Sequence, residues 1–134
     1  MAYWLVKSDP DTYSWENLKK DKSTVWDGVR NYQARNNLLL MKTGDEVLFY
    51  HSQEEKSIVG IAKVSKEYFP DSTAEGDKWF AVELEYYLEL DKPVSLEMIK
   101  SNPHLSEIGL NRQGRLSVMP LTDKHYSEII RMSK

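Results

Sequence analysis

From Trp79 to Leu90 apolar and acidic residues alternate almost without a break. Phe80, Val82, Leu84, Tyr86, Leu88 and Leu90 fall on one side of an extended chain, and Glu83, Glu85 and Glu89 on the other. A period of two fits a β-strand, whose successive side chains point to opposite faces. One dry side and one wet, acidic side imply a sheet that covers a core through a single face, the habit of antiparallel sheets. Glu46 to Ser52 predicts a second strand, with Val47, Phe49 and His51 on one face and Leu48 and Tyr50 on the other. Ser57 to Tyr68 predicts a long strand in which Gly60 marks a bulge or a close approach. Shorter strands are expected at Tyr3–Lys7 and Leu116–Met119.

Helix signals lie between these runs. Ser14 is placed to cap a short helix with Leu18 facing inward, after the Ser8-Asp9-Pro10-Asp11 turn. A helix is predicted from about Asn31 to Lys42, with Ala34, Leu38 and Met41 on one face and Gly44 as its stop. Ser95 caps another to about Lys100, stapled by Val94 and Ile99 and ended by Asn102-Pro103. Thr122 caps the last, with Leu121 and Tyr126 as its staple. Pro70 to Asp77 reads as a polar loop, and Thr24 to Arg30 fits no element cleanly, because Trp26 stands just before the turn signal Asp27-Gly28. Without repeats or linkers, the 134 residues are expected to form a single α+β domain, residues 1–134. Its mostly antiparallel sheet is expected to curl into a β-barrel with short peripheral helices.

Composition narrows the function classes. A net charge of −3 counts against a protein that coats DNA by neutralising many phosphates, but not against one that grips a single nucleotide. Four Trp and eight Tyr supply many aromatic faces for this length. Zero cysteines exclude disulfides and thiolate zinc sites. No apolar run approaches the roughly 20 residues of a membrane-spanning helix, and Met1 to Lys7 does not read as a secretory leader. A cytoplasmic location is expected, or a nuclear one in a eukaryote.

Several segments together resemble the EVE domain family. They are Tyr3-Trp4-Leu5-Val6-Lys7-Ser8-Asp9-Pro10, the eleven-residue run Trp26-Asp27-Gly28-Val29-Arg30-Asn31-Tyr32-Gln33-Ala34-Arg35-Asn36, and Phe49-Tyr50-His51-Ser52. Val59-Gly60-Ile61-Ala62, Pro70-Asp71 and Arg115-Leu116-Ser117-Val118 follow in order. The central run is the specific one. Where the family usually carries Glu this chain has Asp9, with the same charge and a shorter reach. The resemblance implies a PUA-like barrel akin to YTH and ASCH domains, with a pocket for a flipped, modified base in DNA or RNA. It also implies a reader that is not an enzyme and needs no cofactor.

A single base can be read only if it is unstacked, held on an aromatic face and matched along its edge. Trp26 is the candidate stacking wall, although an indole is also a common core plug. Arg30, Arg35 and Arg115 offer guanidinium forks for phosphate or a base edge, or else pair with nearby carboxylates. Asn31 is a pocket-edge candidate and equally a helix cap. His51 and Ser52 are expected at the barrel mouth, with Lys7, Ser8 and Asp9 at its rim and Ser117 facing inward. For Ser8, Ser52 and Ser117 the plain alternative is backbone bonding at strand ends. Trp4 is expected in the core, and Trp15 as packing.

Two other function classes stay open. A nucleotide hydrolase or deaminase would draw on His51 and Asp9. However, no G-x-S-x-G elbow or phosphate-binding glycine loop is present, and His51, His104 and His125 lack metal-ligand spacing. No metal is expected. A protein-interaction module would use the acidic row Glu83, Glu85 and Glu89, though such a face is usually just solvated.

Overall fold

The computed structural model describes residues 1–53 and 55–134. Its elements run β1 (Tyr3–Ser8), α1 (Trp15–Asp21), β2 (Ser23–Trp26), α2 (Tyr32–Leu40), β3 (Glu46–His51), β4 (Ser57–Pro70) and β5 (Phe80–Ser95). Then come α3 (Leu96–Lys100), a 3-10 turn (Pro103–Leu105), α4 (Gly109–Arg112), β6 (Val118–Leu121) and α5 (Asp123–Met132). The strands form one mixed sheet in the order β2-β5-β4-β3-β1-β6, antiparallel except for the β1–β3 pair. β3 sits inside this order with Val47, Leu48, Phe49 and Tyr50 all buried, so both of its faces are covered.

The curled, mostly antiparallel sheet with short peripheral helices matches the expected architecture, and the barrel it forms is left unclosed. The end strands β2 and β6 do not pair, and the sheet stays open. β2 stops after four residues because Gly28, at φ +78°, turns the chain away. The outer edge of β6 is occupied by α2, whose Asn37 Nδ2 donates to the carbonyl of Val118 at 2.7 Å. A lone proline, Pro120, stands in β6 where its missing N–H faces that outer edge, so the ladder to β1 loses nothing.

The alternation in β5 holds only for part of its length. Ala81, Val82 and Leu84 are buried, whereas Leu88, expected on the dry face, is 49 % exposed. Ile61 pairs with Leu88 while its neighbour Ala62 pairs with Tyr86. The extra residue, Tyr87, is a bulge that turns Leu88 outward, and a second register shift beyond Glu89 returns Leu90 and Val94 to the buried side. Helix α2 ends at Leu40, two residues earlier than expected, and β6 begins two residues later than expected.

Gly60 marks a close approach, as its place inside β4 suggests. The indole of buried Trp15 lies over it so tightly that a Cβ there would meet Trp15 Cζ2 at 2.0 Å. Ser14 caps α1 in a reciprocal box with Asn17, which holds Trp15 at the first helical position. Trp4 is core, and its indole N–H donates to buried Asp45 at 3.0 Å.

Candidate functional site

A cleft of about 600 Å³ opens where the sheet fails to close. Thr24, Val25 and Trp26 of β2 form one wall and continue into Asp27, Gly28 and Val29. The end of β1, with Lys7, Ser8 and Asp9, faces them together with Ser117, while Thr12 and Tyr13 of the β1–α1 turn complete the lining. β2 stands at one end of the sheet order and β1 next to the other, so the sheet must curl strongly for both to border one cavity. Its volume lies within the range of about 300–1,000 Å³ usual for small-ligand sites.

Trp26 is half-buried. Its ring meets Phe49 edge-on at 5.6 Å and Tyr13 edge-on at 6.4 Å, which fixes the indole while it borders the cleft. The turn after it is held from beneath by Asp71, whose side chain has no exposure. One Asp71 oxygen accepts from Gly28 N at 2.9 Å and from an Arg30 guanidinium nitrogen at 3.0 Å, and the other from the amide and hydroxyl of Thr73. Burial by itself pushes this carboxyl up. The hydroxyl of Thr73, the amides of Gly28 and Thr73 and the Arg30 cation outweigh it, leaving Asp71 near 2, well below its ordinary value.

The facing wall is tied just as firmly. Ser8 spends its hydroxyl on the carbonyl of Tyr13 at 2.5 Å. Asp9 Oδ1 accepts from the amide of Asp11 at 2.9 Å, and the Asp9 carbonyl accepts from Thr12 and Tyr13, which sets the turn. Lys7 donates from its ammonium to the carbonyl of Gly114 and from its amide to that of Ser117. Burial lowers the Lys7 pKa from its ordinary value and raises that of the Tyr13 phenol, so both polar tips are partly stripped of water.

Of the residues singled out in the sequence, Trp26, Lys7, Ser8, Asp9 and Ser117 border this cleft. Arg30, Asn31, His51, Ser52 and Arg115 do not, and for each the structure gives a competing engagement or position. Arg30 is turned to Asp71 and Thr73, with its guanidinium 5.7 Å from the ring centre of Trp79. Asn31 caps α2 by accepting from Ala34 N at 2.9 Å. His51 is buried, and its Nε2 accepts from the amide of Trp15 at 3.0 Å, so that nitrogen carries no proton. Ser52 bonds through both amide and hydroxyl to the carbonyl of Ser8. Arg115 is exposed on the loop that offers Gly114 to Lys7. Asp9 lines this cleft and His51 does not, nor does any histidine among the described residues.

Sequence reasoning missed Thr12, Tyr13, Thr24, Val25 and Val29 as lining residues, along with the anchor Asp71. Asp71 lies within a family-like segment, Pro70-Asp71, and the Asp27-Gly28 turn was visible. Nothing local marks Tyr13, because its place depends on a turn folding back onto an edge strand.

Comparison with known proteins places the chain in a family. The family model described as "EVE domain" matches residues 2–132. Human thymocyte nuclear protein 1 is 32% identical over 168 residues, spanning 99% of this chain and 74% of that protein. A crystal structure of a protein from Agrobacterium tumefaciens superposes with a TM-score of 0.95 at 47% identity, covering 99% of this chain and 93% of that one. The human protein in complex with DNA containing 5-methylcytosine gives a TM-score of 0.95 at 32% identity, covering 100% of this chain and 98% of that one. The chain belongs to the EVE domain family.

Proposed function

We propose that this chain is a non-catalytic, DNA-binding reader of methylated cytosine that takes the flipped base into the cleft beside Trp26. The observation that carries the proposal is the half-buried indole on the wall of a 600 Å³ opening large enough for one nucleotide. The solved complex of the human relative with 5-methylcytosine DNA supports the choice of ligand. Flipping costs a few kcal/mol, and one aromatic stack returns about 1–3 kcal/mol, so stacking alone roughly breaks even. Burying the methyl group adds on the order of 0.8 kcal/mol, about a fourfold preference. Larger discrimination has to come from hydrogen bonds along the edge of the base. Lys7, which lines the cleft and whose ammonium is partly desolvated, is the cation best placed for the phosphate of that nucleotide.

The test compares oligonucleotides carrying 5-methylcytosine or cytosine, in DNA and in RNA, against the wild type and Trp26→Ala. The wild type should bind methylated DNA with quenching of indole fluorescence. Trp26→Ala should lose tenfold or more in affinity while keeping its circular dichroism spectrum, since a stack is worth about 1–3 kcal/mol. Equal affinity of the wild type for methylated and plain strands would refute base reading.

A further inference from the structure

The edge strand β2 carries a backbone feature that decides what its side of the cleft can recognise. Its ladder to β5 is regular, pairing Ser23 with Glu85, Thr24 with Leu84, Val25 with Glu83 and Trp26 with Val82. One residue earlier, the amide of Tyr86 donates to the carbonyl of Lys22 at 2.8 Å. Antiparallel pairs alternate between those that exchange hydrogen bonds and those that do not. Lys22, Thr24 and Trp26 therefore direct their N–H and C=O groups toward β5, and Ser23 and Val25 direct theirs away from it. Val25 also lines the cleft. Among the described residues no backbone partner takes up its outward N–H or C=O. The other free edge behaves differently, since Asn37 of α2 occupies the outward carbonyl of Val118 on β6.

We infer that the outward N–H and C=O of Val25 read the hydrogen-bonding edge of the base held in the cleft. In an extended residue the two groups lie side by side and point the same way, a donor next to an acceptor. Cytosine matches them with N3 as the acceptor and the exocyclic N4–H as the donor. Its 5-position lies next to the N4 corner, so the strand can hold the edge without covering a 5-methyl group. With only two outward residues, Ser23 and Val25, β2 is too short to template a whole added peptide strand. The inference rests on the base-reading proposal and adds to it the atoms that select the base.

Two measurements test it. Val25→Pro deletes the outward N–H and spares the ladder to β5, as Pro120 does naturally on β6. It should fold with nearly wild-type melting and lose tenfold or more in affinity for 5-methylcytosine DNA. In parallel, the wild type is titrated with the same strand carrying N4,N4-dimethylcytosine, which has no N4–H. That strand should bind at least tenfold more weakly than 5-methylcytosine DNA. If a folded Val25→Pro and the dimethylated strand both bind as well as their controls, the edge assignment is overturned, while Trp26→Ala still reports on base reading itself. If Val25→Pro does not fold, the dimethylated strand decides alone. Preferential binding of extended peptides would overturn both.

Discussion

Replacing Asp71 by Asn removes the charge on which the Trp26–Arg30 turn is built while keeping the side chain's shape. The carboxylate is fully buried and accepts from two amides, a hydroxyl and a guanidinium. Its pKa falls from the ordinary 3.8 to about 2, which corresponds to about 2 kcal/mol of preference for the ionised form in the folded state. Because the folded value lies below the unfolded one, this stability is complete above about pH 4 and disappears as pH falls toward 2. Asp71→Asn should therefore be about 2 kcal/mol less stable at pH 7, a drop of about 7 °C in Tm for a chain of this length. The gap should close between pH 4 and 2, since only the wild type has this proton to take up. Urea denaturation of both proteins at pH 7, 4 and 2.5 measures it, and the difference between them cancels every other carboxylate. Parallel loss of stability in both proteins across that range would refute the electrostatic account of the turn. Affinity for methylated DNA should also fall in Asp71→Asn, because Gly28 loses the anchor that sets the wall beside Trp26.

Two further substitutions separate packing from binding. Gly60→Ala should cost about 1–3 kcal/mol or more by driving the Trp15 indole from its seat, visible as a lower Tm and altered near-UV circular dichroism; an unchanged melt would mean the contact is soft. Asn31→Ala should cost about 1 kcal/mol through loss of the α2 cap and leave the affinity for methylated DNA at the wild-type level, whereas a selective loss of binding at unchanged stability would return Asn31 to the site.

Much of the fold was legible because it is locally encoded. Ser14, Ser95 and Thr122 were readable as caps, since a hydroxyl followed by a free helical amide needs only neighbours in sequence. The candidate site was legible only in part. Five of the expected side chains line the cleft, while Arg30, Asn31, His51 and Ser52 are bonded elsewhere and Arg115 stands exposed on its loop. Arg30 met a buried carboxylate 41 residues away, and His51 met the amide of Trp15 across 36 residues. Sequence spacing cannot foresee either, because both partners are brought together only by the curled sheet.

The amino-acid order by itself settled the period-two strands, the capped helices and the family motif around Trp26, all of which depend on residues within a turn or a strand of one another. Tertiary structure decided that the sheet stays open, that a bulge at Tyr87 turns Leu88 outward, and that Tyr13 and Val25 border the cleft while Arg30 and His51 do not. Those outcomes depend on which distant donor reaches which acceptor first when the chain closes on itself. Buried polar groups take the partner that geometry supplies, and that geometry exists only once the strands have curled together.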